Sequence, residues 1–195
     1  MQKHPLLHHL ATALVAATLV LAGCTTTTTT GAGKANNNAV RMEINDGINS
    51  TLDRLYAQVP GSRELVAKSA GMLVFPRVLA AGLVVGGEYG KGALRVGGHT
   101  AGYYSIGSVS VGFQAGAQSK AMIVLFMTHA SLDKFRASRG WDAGADASVA
   151  LAKVGANGAI DTTTANNPVQ IIVLTNAGLM ANLNLEGTKI STLEI

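Results

Sequence analysis

Val40, Ile44, Ile48, Leu52, Leu55 and Val59 recur at steps of three and four, while Arg41, Asn45, Asp46, Asn49, Asp53 and Arg54 fill the opposite face. That spacing predicts an amphipathic helix over 39–58 that stops before Pro60. Ser62 as N-cap and Gly71 as terminator predict a second, short helix over 62–70. Packing on a core is the usual fate of such an apolar stripe; a helix lying in a lipid surface shares the same pattern.

After Gly71 the period changes. Twelve glycines fall between Gly71 and Gly116, separating short runs such as Leu83-Val84-Val85, Ala93 to Val96 and Tyr103 to Ile106. Runs of this length between glycines predict strands joined by turns or bulges. Val109, Val111 and Phe113 alternate with Ser108, Ser110 and Gly112, as in a half-buried strand, and Ala121 to Met127 is apolar throughout, as in a central one. A short helix is expected over 131–138, with Leu132 and Phe135 facing inward. Strand texture returns at 147–152, at Val169 to Leu174 and at 182–186. About eight strands with few helices and no βαβ rhythm define a β-rich α+β fold: a strongly curved antiparallel sheet or partly closed barrel.

Residues 1–24 stand apart. A lysine and several histidines precede an apolar run from Leu10 to Ala22, too short to span a bilayer but of the length of a secretory h-region. The run ends in Leu21-Ala22-Gly23-Cys24, which resembles the lipobox of bacterial lipoproteins. The expected organisation is a signal peptide over 1–23, then an acylated Cys24 with a Thr/Asn-rich tether over 24–38, then one domain over 39–195. More than one acyl chain gives stable anchoring. Threonine rather than aspartate at position 25 implies the outer membrane, facing the periplasm.

Composition narrows the chemistry. Of 195 residues 13% are charged, 5% are aromatic and one is cysteine, so internal disulfides and multi-cysteine metal sites are excluded. The formal charge of +4 suits contact with an anionic surface better than wrapping of nucleic acid. Beyond the leader only His99 and His129 remain, the acidic residues are scattered, and Asp142 and Asp146 bracket a turn-like Gly144. No metal site, cofactor or nucleophile–base pair can be named, so no catalytic residue is assigned and a hydrolase is the weakest reading. Gly86-Gly87-Glu88-Tyr89-Gly90-Lys91-Gly92 invites a phosphate-loop reading, but a strand-like run follows it where a helix is required. Hairpin turns at positive φ are the expected use of these glycines. Between Gly71 and Ala130 the charged residues are Arg77, Lys91, Arg95 and Lys120 against the single acid Glu88. An anionic membrane surface is the partner this predicts.

Several blocks then resemble one family. Gly71 to Pro76, Gly82 to Gly92, Gly112 to Ser119 with the apolar run and helix behind it, and Gly178 to Gly187 are similar, in order, to the SYLF lipid-binding domain. The similarity spans about 40–195. It implies binding of phospholipids, with phosphoinositide headgroups in eukaryotic members and actin binding in some. Lys120-Ala121 stands where an acidic residue is expected, and the companion domains of eukaryotic members are missing. The resulting expectation is a non-enzymatic, lipid-anchored envelope protein that binds acidic phospholipids through Arg77, Lys91, Arg95 and Lys120, supported by Arg63 and Lys68. The alternative is a structural or adhesive protein that recognises a protein partner.

Overall fold

The computed structural model describes residues 30–82, 85–111, 116–152, 167–175, 178–179 and 185–195. The chain divides into compact units at Met1–Ala35 and Asn36–Ile195. Of the first, only the leading turn of a helix is described. The second contains every residue of both hydrophobic cores and so has the core of an independently folding domain. Cys24 and the leader lie outside the described residues, as does most of the alternation at 182–186.

Among the described residues three helices, α1 (Thr30–Gln58), α2 (Ser62–Lys68) and α3 (His129–Ala137), accompany nine strands. The strands are β1 (Gly71–Gly82), β2 (Val85–Val96), β3 (His99–Val111), β4 (Gly116–Phe126), β5 (Trp141–Asp142), β6 (Val149–Leu151), β7 (Val169–Thr175), β8 (Gly178–Leu179) and β9 (Lys189–Thr192). They form one sheet in the order β5-β9-β3-β2-β1-β4-β7-β6, with β8 on β7, curled into a half-barrel. The β-rich α+β expectation holds. The sheet departs from a purely antiparallel one at β6, which runs parallel to β7.

Both sheet faces are covered, by different layers. Ile44, Ile48, Leu55 and Val59 of α1 and its exit pack with Leu65 of α2 on Val74, Ala93, Ile123, Leu125 and Ile172. The apolar stripe of α1 is therefore spent on the sheet and not presented to solvent. On the other face Leu73, Phe75, Leu94, Ile106, Met122, Val124 and Ile171 meet Leu132 and Phe135 of α3 and Trp141. Phe135 sits 4.8 Å from Phe126 and 5.6 Å from Trp141, ring centre to ring centre. α1 begins nine residues before the expected start, inside the stretch expected to be coil. Once a helix is nucleated by its docked turns, each further residue adds a hydrogen bond at little cost.

The glycines of β2 correct the hairpin expectation. Among described residues only Gly61, Gly97, Gly98 and Gly187 have positive φ, so the real turn glycines of this region are Gly97 and Gly98 between β2 and β3. Gly86 to Gly92 lie inside the strand. For Gly92 the reason is across the ladder: Phe75 and Pro76 both oppose it, a bulge that lets proline sit in a central strand. A Cβ on Gly92 would lie 2.2 Å from Val74 O, and one on Gly47 of α1 would lie 2.9 Å from the Pro76 ring. Glycine on the strand and on the helix thus accommodates one bulge from both sides.

The turn expected at Gly144 is built by carboxylates. Asp142 Oδ1 accepts from the backbone N–H groups of Gly144 and Ala145. Asp146 accepts from Ser148 Oγ at 2.6 Å, Trp141 Nε1 at 3.1 Å and Lys134 Nζ at 3.1 Å, clipping the loop to α3. Burial alone would raise the Asp146 pKa, but these bonds, with Ser148 N–H, together hold it well below the usual carboxylate range. A lowered folded pKa contributes stability that is complete above the unfolded value of about 4 and is lost as pH falls through the folded value. Thermal melts from pH 7 to pH 3 are expected to show Asp146→Asn losing less stability on acidification than the parent. Parallel curves would remove Asp146 from the acid response.

Candidate cationic groove

The bulge fixes which side chains point where. Val74 faces α1, Phe75 faces α3, and after the extra residue Val78 and Ala80 return to the α3 face. Arg77 and Leu79 therefore project on the α1 side. Their register partners on β2, Lys91 and Tyr89, share that side with Ala93. Ser119 of β4 lies opposite Leu79 and extends the same row.

Here the helix and sheet diverge to leave a groove of about 520 Å³. One wall is a stripe of α1 that includes Glu43, Gly47, Ser50, Thr51 and Arg54; the other is Pro76, Arg77, Leu79, Tyr89, Lys91 and Ser119. Arg54 Nε is buried without a partner, a donor with no acceptor in place. Arg77 lies 4.0 Å from Glu43, with both side chains about 70% exposed, so water screens the pair and Glu43 holds the arginine only weakly. Three cations and three serine or threonine residues lining one groove beside exposed Leu79 and Tyr89 can hold an oxyanion attached to an apolar body.

The residues anticipated from sequence do not form one cluster. Arg77 and Lys91 are neighbours in this groove. Arg95 is on the same sheet face, but its Nη2 donates to Asn45 Oδ1 at 3.2 Å and Asn49 Oδ1 at 3.5 Å, which ties α1 to β2. Lys120 projects to the α3 side, is 8% exposed, and donates to Glu88 Oε1 at 2.7 Å. Arg63 lies over the Tyr56 ring at 4.2 Å, and Lys68 is exposed in the last turn of α2; neither lines the groove. Arg54 was missed, since a lone arginine on a helix carries no signal until its neighbours are known.

His99 and His129 are exposed, and no group of three His, Cys, Asp or Glu residues is placed to hold a metal among the described residues. No helix among them is long and apolar enough to cross a membrane. Sheet and groove together define a β-rich domain with a cationic groove on one face. Residues 107–194 match the family model Ysc84, described as Las17-binding protein actin regulator. Over that stretch, a little under half of the chain, it is similar to the Ysc84 (SYLF) domain family, one associated with lipid and actin binding. No match to a curated protein was found.

Proposed function

We propose that this domain binds acidic phospholipids through the groove between α1 and the β1–β2 pair, without catalysis, and that acylated Cys24 anchors it to the bacterial envelope, on the periplasmic side of the outer membrane. The observation that carries the reading is the adjacency of Arg77 and Lys91 in register, with the unpartnered Arg54 Nε across from them and apolar Leu79 and Tyr89 at the edge. An anchor raises the local concentration of headgroups, so weak affinity in the groove suffices for a second attachment. The family's lipid association supports the same class of ligand.

A cation close to an anionic bilayer contributes about 1 kcal/mol, screened beyond about 8 Å at physiological salt. Arg77→Ala with Lys91→Ala in the domain 36–195 is therefore expected to weaken binding to phosphatidylglycerol vesicles about 30-fold, from ~2 kcal/mol. Parent binding should fall as salt rises, and phosphatidylcholine vesicles should not pellet the domain. Equal pelleting with acidic and neutral vesicles, or an unchanged double variant, overturns the reading. The description of the matched family as an actin regulator that binds Las17 supports a second reading, a protein partner. Loss of partner capture in the same double variant, without any vesicle binding by the parent, would favour it.

A further inference from the structure

Large apolar side chains that remain exposed are few among the described residues: Met42, Leu79, Tyr89 and Val109. Three of these four lie in one place. On the α1 side of the sheet, register assigns Arg77, Lys91 and Ser105 to one row, Leu79, Tyr89 and Gly107 to the next, and Ala81, Gly87 and Val109 to the third. Leu79 is 55% exposed, Tyr89 53% and Val109 70%. Polarity thus falls in one direction along β1 to β3, from cations through an aromatic–aliphatic row to a row of small and apolar residues; on these three strands neither outer row carries a charge on this face, and the first charges beyond Gly107 are Lys189 of β9 and Asp142 of β5.

Rows on one face are two residues apart, about 6.6–6.8 Å, so the third row stands ~13 Å beyond the cations. Peripheral apolar surfaces sink about 5–10 Å below the headgroup boundary, and tyrosine favours that boundary because one end of its ring is polar. We infer that the domain enters the lipid interface end-on: of the described rows the Val109 row sits deepest, Leu79 and Tyr89 lie at the glycerol level, and Arg77 and Lys91 stop at the phosphates. The inference rests on the reading of the groove as a phospholipid site and adds the orientation and depth of docking.

Two features argue for a lipid surface as the occupant. The cations border the apolar rows on the same face, which complements an anionic bilayer; a two-fold contact with a second copy would set Arg77 and Lys91 either against their own counterparts or against the uncharged Val109 row, and neither offers them a partner charge. At the same level on the α3 side, the charges Glu88 and Lys120 are already joined at 2.7 Å. That pairing leaves no net charge from either residue to resist approach to lipid.

Residues 36–195 contain no cysteine, so single reporter cysteines are simple to place. Leu79→Cys and Val109→Cys, with Met42→Cys on α1 as control, would carry an environment-sensitive nitrobenzoxadiazole dye. With phosphatidylglycerol vesicles, the dye at 79 and 109 is expected to brighten several-fold, shift to the blue and be quenched by acyl-chain spin labels, more strongly at 109; at 42 it should not change. Unlabelled Leu79→Ser with Val109→Ser should still pellet at low salt but be released by salt that the parent withstands. Pelleting of all proteins without a dye response at 79 or 109 overturns end-on insertion while leaving headgroup binding in place. Failure of the unlabelled parent to pellet removes the groove reading itself. A dye response that follows protein concentration without lipid would assign the patch to self-association and also overturn the inference.

Discussion

Gly92→Ala is expected to prevent stable folding, or to lower the melting temperature of the domain by more than ~10 °C, although it adds a single methyl group. Its Cβ would lie 2.2 Å from Val74 O and 2.6 Å from Phe75 Cδ1, and the first of these is backbone in a central strand. Neither can retreat: Val74 and Phe75 are both fully buried, in the two different cores. Overpacking ordinarily costs about 1–3 kcal/mol, and contact with fixed backbone lies at or beyond the upper end. For a domain of this size each kcal/mol moves the midpoint by about 2–4 °C. Gly87→Ala is the matched control in the same strand. Its nearest contact would be Ser108 O at 3.6 Å, an ordinary distance, so a neutral or slightly raised midpoint is expected. Calorimetry or a circular-dichroism melt of both variants checks the pair. Similar midpoints would refute the close-approach account of Gly92.

The contrast between these two glycines shows what the sequence could and could not convey. Turn glycine and close-approach glycine look alike in a sequence, because both are read from the missing Cβ. What separates them is the partner across the ladder, and Phe75-Pro76 is 16 residues away from Gly92. The available hint was Pro76 itself, since proline within an apolar strand run demands a bulge. Helix faces were legible because period 3.6 is local: the stripe Ile44, Ile48, Leu55 and Val59 is the buried one. Sheet faces were legible only where polar and apolar residues alternate. Ala121 to Phe126 are all buried, so nothing along β4 told whether Lys120 looks toward α1 or away. Its parity against Lys91 is set through β1, by the bulge. The groove was half legible for that reason: Arg77 and Lys91, grouped from charge alone, line it together with Arg54, which carried no signal, while Lys120 of the same group lies on the other face of the sheet.

That change of face makes Lys120 and Glu88 a stability pair with unequal members. Lys120 is 8% exposed and Glu88 21%, with Val78 and Ala80 of β1 buried on the face they cross. Removing the carboxylate by Glu88→Ala leaves an ammonium in an apolar setting with its acceptor gone. Breaking a fully buried pair costs about 3–5 kcal/mol; with Glu88 partly wet, about 2–3 kcal/mol is expected, a drop of ~4–12 °C in the midpoint. Lys120→Met leaves behind the group that can still reach water and replaces the stem with a similar apolar volume, so about 1 kcal/mol is expected. The double replacement Glu88→Leu with Lys120→Met should return to within ~1 kcal/mol of the parent, because an ion pair exchanged for apolar side chains leaves no orphaned charge. The same proteins separate stability from lipid contact. Lys120→Met is expected to bind phosphatidylglycerol vesicles as the parent does at a temperature where both are folded, since it points away from Arg77 and Lys91. A loss of vesicle binding equal to that of Lys91→Ala, with the melting midpoint unchanged, would return Lys120 to the binding surface and refute its structural role.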